Sequence, residues 1–331
     1  MDGRIESMNV TQTLRLGARG SLLSRMQTQV VADLLERRHP GLRVELVIIK
    51  TTGDRLTDRP LANDGGKGLF TKELEQALLA GEVDAAVHSF KDVPVTMPLV
   101  DTHALVIAAV PPREDPRDVL VSTRARSIAQ FPPCAHVGTG SPRRQSQILA
   151  ARPDLTVDVI RGNIDTRLRK LWNDEWDGII LAMAGLRRAG LFDHLTMTVL
   201  GYDEMLPAAG QGALALQCRR DDSRARDLLA SLNDPATEEC VTLERAVVAA
   251  LQGDCHSPIA ALATVTDDVI SLRVAVGSKN CTPHLYKAAA SASRSHPEEA
   301  LASVMELLLD QGYAAAPAEY DPEAPIAHTT A

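Results

Sequence analysis

The stretch "AVHSFKDVP" (86–94) places a lysine and an aspartate, Lys91 and Asp92, just after an apolar run ending at Ser89. In open α/β sheets ligands bind beyond the carboxyl ends of strands, so here an ammonium can meet an anion and a carboxylate can face a cationic centre. On an ordinary turn the same pair is only a solvated contact of little consequence. Two further stretches tip the balance. In "VGTGSPRRQSQ" (137–147) a strand ends at Val137, Thr139, Gly140 and Ser141 form a small-residue loop, and Arg143 and Arg144 open a helix. In "VIRGNIDTRLRK" (159–170) Arg161 follows a strand and Arg167 lies near a helix start. Arg15, Arg19 and Ser21, around the end of the first strand, make a third instance. N–H groups at helix starts and forked guanidiniums are donors for anions. Three such junctions bearing arginine point to an acidic ligand.

In "LQGDCHSPIAAL" (251–262), Cys255 follows a Gly253-Asp254 turn. As a nucleophile it needs a base to give thiolate. His256 adjoins it, but neighbouring side chains point apart, so a packed thiol, a nucleophile and a covalent anchor all stay open. His88 suits a structural hydrogen bond. Cys134, Cys218 and Cys240 carry no charged constellation and read as packing groups. "NDGGKGLF" (63–70) lacks the first glycine and the Ser/Thr of a phosphate loop, which excludes a nucleotide P-loop.

The chain has 331 residues, room for two or three domains, and 45% apolar content, enough for real cores. Its formal charge of −8 argues against nucleic acid as a partner. Seven lysines stand against 28 arginines, a bias that suits carboxylate or phosphate recognition. Five cysteines at irregular spacings, with no metal-ligand pattern, read as reduced thiols of a cytoplasmic protein. "MDGRIESMNVTQT" has no apolar signal core and no long apolar run follows, so neither export nor a membrane span is expected.

The elements that must carry these groups are legible as periods. "LRLGA" (14–18), a helix over 22–37 and "LRVELVII" (42–49) form a βαβ unit and predict a parallel sheet. Residues 51–68 are polar and Gly/Pro-rich and read as a long mobile loop, functional or disordered. A helix over 71–80 and a strand over 84–89 follow. After "AAVPPREDPRD" (108–118) a second α/β pattern begins, with strands in "DVLVS", "AHVGTG", "LTVDVI" and "WDGIILA". "LPAAGQGALALQCRR" (206–220) reads as a glycine hinge and a returning strand. From about 234 comes an α+β pattern: a helix over 236–252, strands over 259–265, 269–277 and 284–292, and a helix over 297–312. Residues 1–12 and 315–331 read as disordered tails, and no fixed-period repeat is present.

Together, "RLGARGSLLS", "GGKGLFTKELE", "AVHSFKDVP", "REDPRD", "GTGSPRRQ", "IRGNIDTRL", "LAMAGLRR", "LPAAGQGALALQCR" and "ERAVVAALQGDCHSP" resemble, in order over about residues 13–312, the blocks of the porphobilinogen deaminase (hydroxymethylbilane synthase) family. The resemblance implies an α/β fold class: two periplasmic-binding-protein-like (type II) α/β domains, 13–109 with 212–231 and 110–211, plus a small C-terminal α+β domain, 232–314, carrying the cofactor cysteine. It implies a monomeric transferase that joins four porphobilinogens head to tail, releases ammonia, and starts from a dipyrromethane cofactor held by a thioether to Cys255. Asp92 would stabilise the methylene-pyrrole cation. Ser89, Lys91, Thr139, Ser141, Arg143, Arg144 and Gln211 would hold the cofactor. Arg19, Ser21, Lys67, Arg161, Arg167 and Arg188 would hold the incoming pyrrole. The sequence departs from the family pattern at Asp254, Ser257 and Asn63, where relatives often have Gly, an apolar β-branched residue and Lys. Two rivals stand beside this reading. A non-enzymatic anion-binding protein leaves Cys255 without purpose, and a thiol hydrolase needs a His near Cys255.

Overall fold

The computed structural model describes residues 12–50, 71–95, 101, 103–254, 256–278 and 284–313, which build three sheets. The first grows from β1 (Gln12–Arg19) and β2 (Leu42–Ile49), paired in parallel with Leu16 opposite Leu46, and helix α1 (Leu22–Arg38) between them. Extended Ser21 starts α1 by accepting the Ser24 N–H at 3.3 Å, satisfying one of the donors a helix start leaves open. Val31, Ala32 and Leu35 of α1 bury against Leu14 and Leu16. Each of these valine and leucine side chains, taken fully out of water, contributes about 1.5–3 kcal/mol. Helix α2 (Lys72–Leu79) leads to β3 (Ala85–Ser89), parallel to β1, and β4 (Leu105–Ala109) ends this passage.

The chain then crosses to a second sheet of β5 (Asp118–Val121), β6 (His136–Gly138), β7 (Thr156–Asp158), β8 (Gly178–Ala182) and β9 (Met197–Val199). Helices α3 (Pro142–Ala151), α4 (Ile164–Lys170) and α5 (Met183–Arg188) fall between these strands. It returns through Gly210 and Gly212, both with positive φ, into β10 (Leu214–Arg219) and α6 (Ser223–Ala230). Gly212 is required: its φ is +90° and an added Cβ would lie 2.2 Å from the Glu114 carbonyl on the outgoing segment.

The sheet orders are β2-β1-β3-β10-β4 and β7-β6-β8-β5-β9. They are one topology used twice, with a parallel trio followed by an antiparallel strand inserted before the last. The parallel sheet expected from the βαβ pattern therefore holds for each trio and fails at β10 and β5. Those two strands enter from the crossing, at the opposite end of their sheets. The repeat is one of topology and leaves no fixed period in the sequence. No element was anticipated at β4, β9 or α6. This is the expected fold class, α/β, with two larger sheets and a small α+β unit.

That unit consists of α7 (Pro235–Ala250), the antiparallel strands β11 (Ile259–Thr266), β12 (Val269–Gly277) and β13 (Leu285–Ser293), and α8 (Pro297–Asp310). Leu243, Val247, Leu272, Val274, Leu301 and Val304 form its core. Glu244 of α7, with no exposed surface, fastens the unit to the crossing. It pairs with Arg113 at 2.6 and 3.0 Å, and accepts the Gly210 N–H at 2.7 Å and the Ala263 N–H of β11 at 2.9 Å. Among the described residues no helix is long and apolar enough to cross a membrane.

Candidate active site

Between the two larger sheets lies a cavity of about 600 Å³. It is lined by ends of strands and starts of helices: Arg19 and Ser21 after β1, Ser89, Lys91 and Asp92 after β3, and Arg161 and Arg167 around the start of α4. Arg144 from α3, Arg188 from α5 and Gln211 from the returning segment add to the polar lining. Residues far apart in sequence meet because both sheets point the carboxyl ends of their trios at the cleft, as sheet geometry predicts. Six cationic side chains here face two carboxylates, Asp92 and Asp165, inside a chain whose total charge is −8. Asp165 was not singled out by sequence. It stands in the first turn of α4, where an acid ordinarily serves the helix.

Asp92 closes a 3₁₀ turn, Phe90–Asp92, and is exposed to the cavity. Lys91 beside it keeps part of its surface on the cavity, yet its ammonium is pushed down to about 8. Burial is the main cause; Arg144 and Arg143 push the same way, and Asp92 and Asp118 oppose them. Its Nζ donates to Gln211 Oε1 at 3.3 Å. Arg167 donates through Nε to the Gly162 carbonyl at 2.7 Å, and Arg188 through Nη2 to the Gly212 carbonyl at 2.7 Å. Burial lowers both guanidiniums to about 10; Arg144 and Arg161 add repulsion at Arg167, while Asp92 attracts it. Neither makes an ion pair among the described residues, so both carry charge available to an anion. Ser89 is held against the Gln27 amide at 3.0 and 3.1 Å.

Beneath the lining sits a residue the sequence did not reveal as functional. Asp118, at the start of β5 and with no exposed surface, accepts Arg143 Nη1 at 2.8 Å, Arg144 Nη2 at 2.8 Å and the Gln211 amide at 2.8 Å. Burial alone would raise its pKa; the two arginines overcome this and hold it well below the usual carboxylate range. Arg143 also donates to the Leu206 carbonyl and is not among the lining residues, whereas Arg144 is. Thr139 and Ser141 likewise lie outside the lining. The Thr139 N–H goes to Asp158 O of β7 at 2.9 Å and the Ser141 N–H to Thr139 Oγ1 at 3.2 Å, so both donors are already used.

Other expectations resolve simply. Arg15 pairs with Asp84 at 2.6 Å within the first sheet and takes no part in the cavity. His88 makes the structural bond expected of it, 2.9 Å to Gln217, and burial pushes it down to about 4. Cys218 and Cys240 are buried, their thiols pushed up to about 12 chiefly by burial. Cys134 is exposed, in a turn where its φ is +59°, and is not the packing group expected. Lys67, Asn63 and Cys255 lie outside the described residues. Around position 255, the Asp254 carboxylate accepts the His256 N–H and the Ser257 hydroxyl, both at 2.9 Å, and Ser257 Oγ accepts the Asp254 N–H at 3.0 Å. Two departures from the family pattern are therefore bonded to each other.

The family model "Porphobilinogen deaminase, dipyromethane cofactor binding domain" matches residues 14–227, and "Porphobilinogen deaminase, C-terminal domain" matches residues 238–310. The chain belongs to the porphobilinogen deaminase family. The porphobilinogen deaminase of Syntrophobacter fumaroxidans is 45% identical over 91% of this chain and 96% of its own. That of Xanthomonas oryzae is 47% identical over 91% and 97%, and that of Syntrophotalea carbinolica 48% over 79% and 82%. A periplasmic substrate-binding protein of an ABC transporter from Coxiella burnetii superposes on 68% of this chain and 93% of its own, with 16% identity and a TM-score of 0.41. The first porphobilinogen deaminase model spans both cavity-forming sheets, and the second falls on the unit whose α7–β11 connection contains position 255.

Proposed function

We propose that this chain is a hydroxymethylbilane synthase. It joins four porphobilinogens head to tail into a linear tetrapyrrole, releasing ammonia at each addition, from a dipyrromethane tethered to Cys255. The observation that carries the reading is the charge of the cavity. Each pyrrole brings an acetate and a propionate, and a pair of pyrroles brings four negative charges. The lining offers an excess of four positive ones. Forked guanidiniums grip carboxylates in pairs and, in a partly dry cleft, do so more strongly than in water. The donor set thus fits the cofactor. Lys91, Arg144, Ser89 and Gln211 would hold it, with Arg143, Thr139 and Ser141 supporting from outside the lining. Arg19, Ser21, Arg161, Arg167 and Arg188 would hold the incoming pyrrole, with Lys67. When bound, the dipyrromethane supplies the nucleophilic pyrrole carbon at which growth begins.

Asp92 is the catalytic group. When the aminomethyl nitrogen of porphobilinogen leaves as ammonia, the remaining methylene-pyrrole carries a positive charge. A carboxylate fixed beside that charge lowers the barrier where the charge develops, and also assists proton transfer to the amine and from the ring carbon. Cys255 is an anchor, used once. Residues 13–109 with 212–231, 110–211 and 232–314 act as three domains of a cytoplasmic monomer.

Intact mass of the purified protein tests the reading. One adduct of two pyrrole units, abolished by Cys255→Ser, is the expected result; a fully active protein of unmodified mass excludes it, and an unmodified protein that binds porphobilinogen without turnover favours the anion-binding rival.

A further inference from the structure

The turn that carries Lys91 and Asp92 belongs to the first sheet, but its outer grip comes from the third unit. Arg245 on α7 donates through Nη1 to the Val93 carbonyl at 2.8 Å and through Nη2 to the Pro94 carbonyl at 2.5 Å. Its guanidinium carbon lies 4.9 Å from the centroid of the Phe90 ring. These contacts bracket Asp92, with Phe90 two residues before it and Val93 and Pro94 directly after. Phe90 itself is fixed: it is 1% exposed and its N–H donates to the Ala213 carbonyl at 3.0 Å.

Among the described residues no carboxylate pairs with Arg245, and burial pushes its guanidinium down to about 10. Even a half-buried cation without a counter-charge carries a desolvation cost, and an apolar side chain of similar volume would tie α7 to the first sheet without it. What the guanidinium adds is a planar fork that spans two successive carbonyls and stacks on a ring at the same time. The preceding residue is Glu244, which fixes the register of α7 against both crossing segments through Arg113 and the Gly210 N–H. Arg245 therefore meets the turn from a helix that cannot slide.

We propose that Arg245 is a positioning residue for Asp92: the unit carrying the attachment loop sets the placement of the catalytic carboxylate by gripping the turn on both sides of it. The proposal rests on the reading of Asp92 as catalytic. A displacement of about 1 Å at such a group is worth up to about a hundredfold in rate.

Arg245→Met keeps length and apolar contact and removes the fork. The expected result is a folded enzyme whose kcat falls about 10- to 100-fold while KM for porphobilinogen stays within about twofold, with Arg245→Lys falling between. Hydrogen exchange gives a readout independent of turnover. The Val93 N–H, bonded to Phe90 O at 3.1 Å, should exchange faster in Arg245→Met while the amides of β3 do not change. On an Asp92→Glu background, whose carboxylate is already displaced, the loss from Arg245→Met should shrink. A kcat within about twofold of the parent, unchanged exchange at Val93, or a loss undiminished on Asp92→Glu would each overturn the proposal. If Arg245→Met does not fold, Arg245→Lys decides by the same three measurements. Near-parent turnover in Asp92→Asn would instead remove the catalytic reading of Asp92, whatever Arg245→Met shows.

Discussion

Arg144 lines the cavity with its Nη2 held 2.8 Å from Asp118, a carboxylate that has no exposed surface. Asp118 thereby fixes a cavity cation from below, and fixes Arg143 and Gln211 with it. Asp118→Asn leaves two buried guanidiniums short of a counter-charge and should destabilise the fold by about 3–5 kcal/mol. The folded-state pKa of Asp118 is depressed, so its contribution is full at neutral pH and is lost as pH falls below the ordinary aspartate value of 3.8 toward the folded value. Denaturant titrations should show the gap between parent and variant narrowing below that pH; a gap constant with pH refutes the assignment.

Asp92→Asn conserves shape and removes charge. It should fold with parent stability, retain its covalent adduct, and lose about two to three orders of magnitude in turnover, the usual cost of removing one preorganised electrostatic group. Single-turnover release of ammonia is the measurement. Asp165→Asn, altering the other cavity acid, should change kcat by less than about tenfold.

Lys91 is poised to lose its proton near 8, because burial weakens its charged form. Below that pH it is an ammonium and binds carboxylate; above it the neutral amine does not. Affinity of the cofactor-free Cys255→Ser protein for a free dipyrromethane bearing the four carboxylates should therefore fall as pH rises through about 8. Calorimetry in two buffers should register proton uptake on binding just above that pH. Lys91→Met should bind weakly at every pH, with no such step.

The bonded pair Asp254 and Ser257 implies that neither departure is neutral alone. Asp254→Gly removes the acceptor for both the His256 N–H and the Ser257 hydroxyl. Ser257→Val should then cost less than it does in the parent, because only the backbone N–H of position 254 still donates to Ser257 Oγ. A double-mutant cycle additive within about 0.5 kcal/mol would dissolve the pairing.

Much of this was legible in the sequence because periodicity is local. The strand over 269–277 was placed to the residue, and the helix expected over 22–37 runs Leu22–Arg38. The cluster of Arg19, Arg144, Arg161 and Arg167 was legible because strand-to-helix junctions share one end of a sheet. Asp118 was not, since an acid in "REDPRDVL" reads as solvated until β5 is known to be inserted between β8 and β9. The withdrawal of Arg143 and Thr139 from the lining was equally hidden, because their partners Leu206 and Asp158 are remote from them in sequence. The antiparallel strands β5 and β10 were read as strands, but their neighbours depend on where the chain crosses, which no local pattern encodes.

The inserted strands also bear on synthesis. β10 lies between β3 and β4, so the first sheet has no complete set of hydrogen-bonding neighbours until residues 214–219 have left the ribosome. Every strand of the second sheet, through Val199, precedes them. At about 5–20 residues per second, the amino-terminal half of the nascent chain waits several seconds with β4 unpaired while the later half closes first. Vectorial order is thus reversed, and the exposed edge of β3 is where a chaperone would be needed.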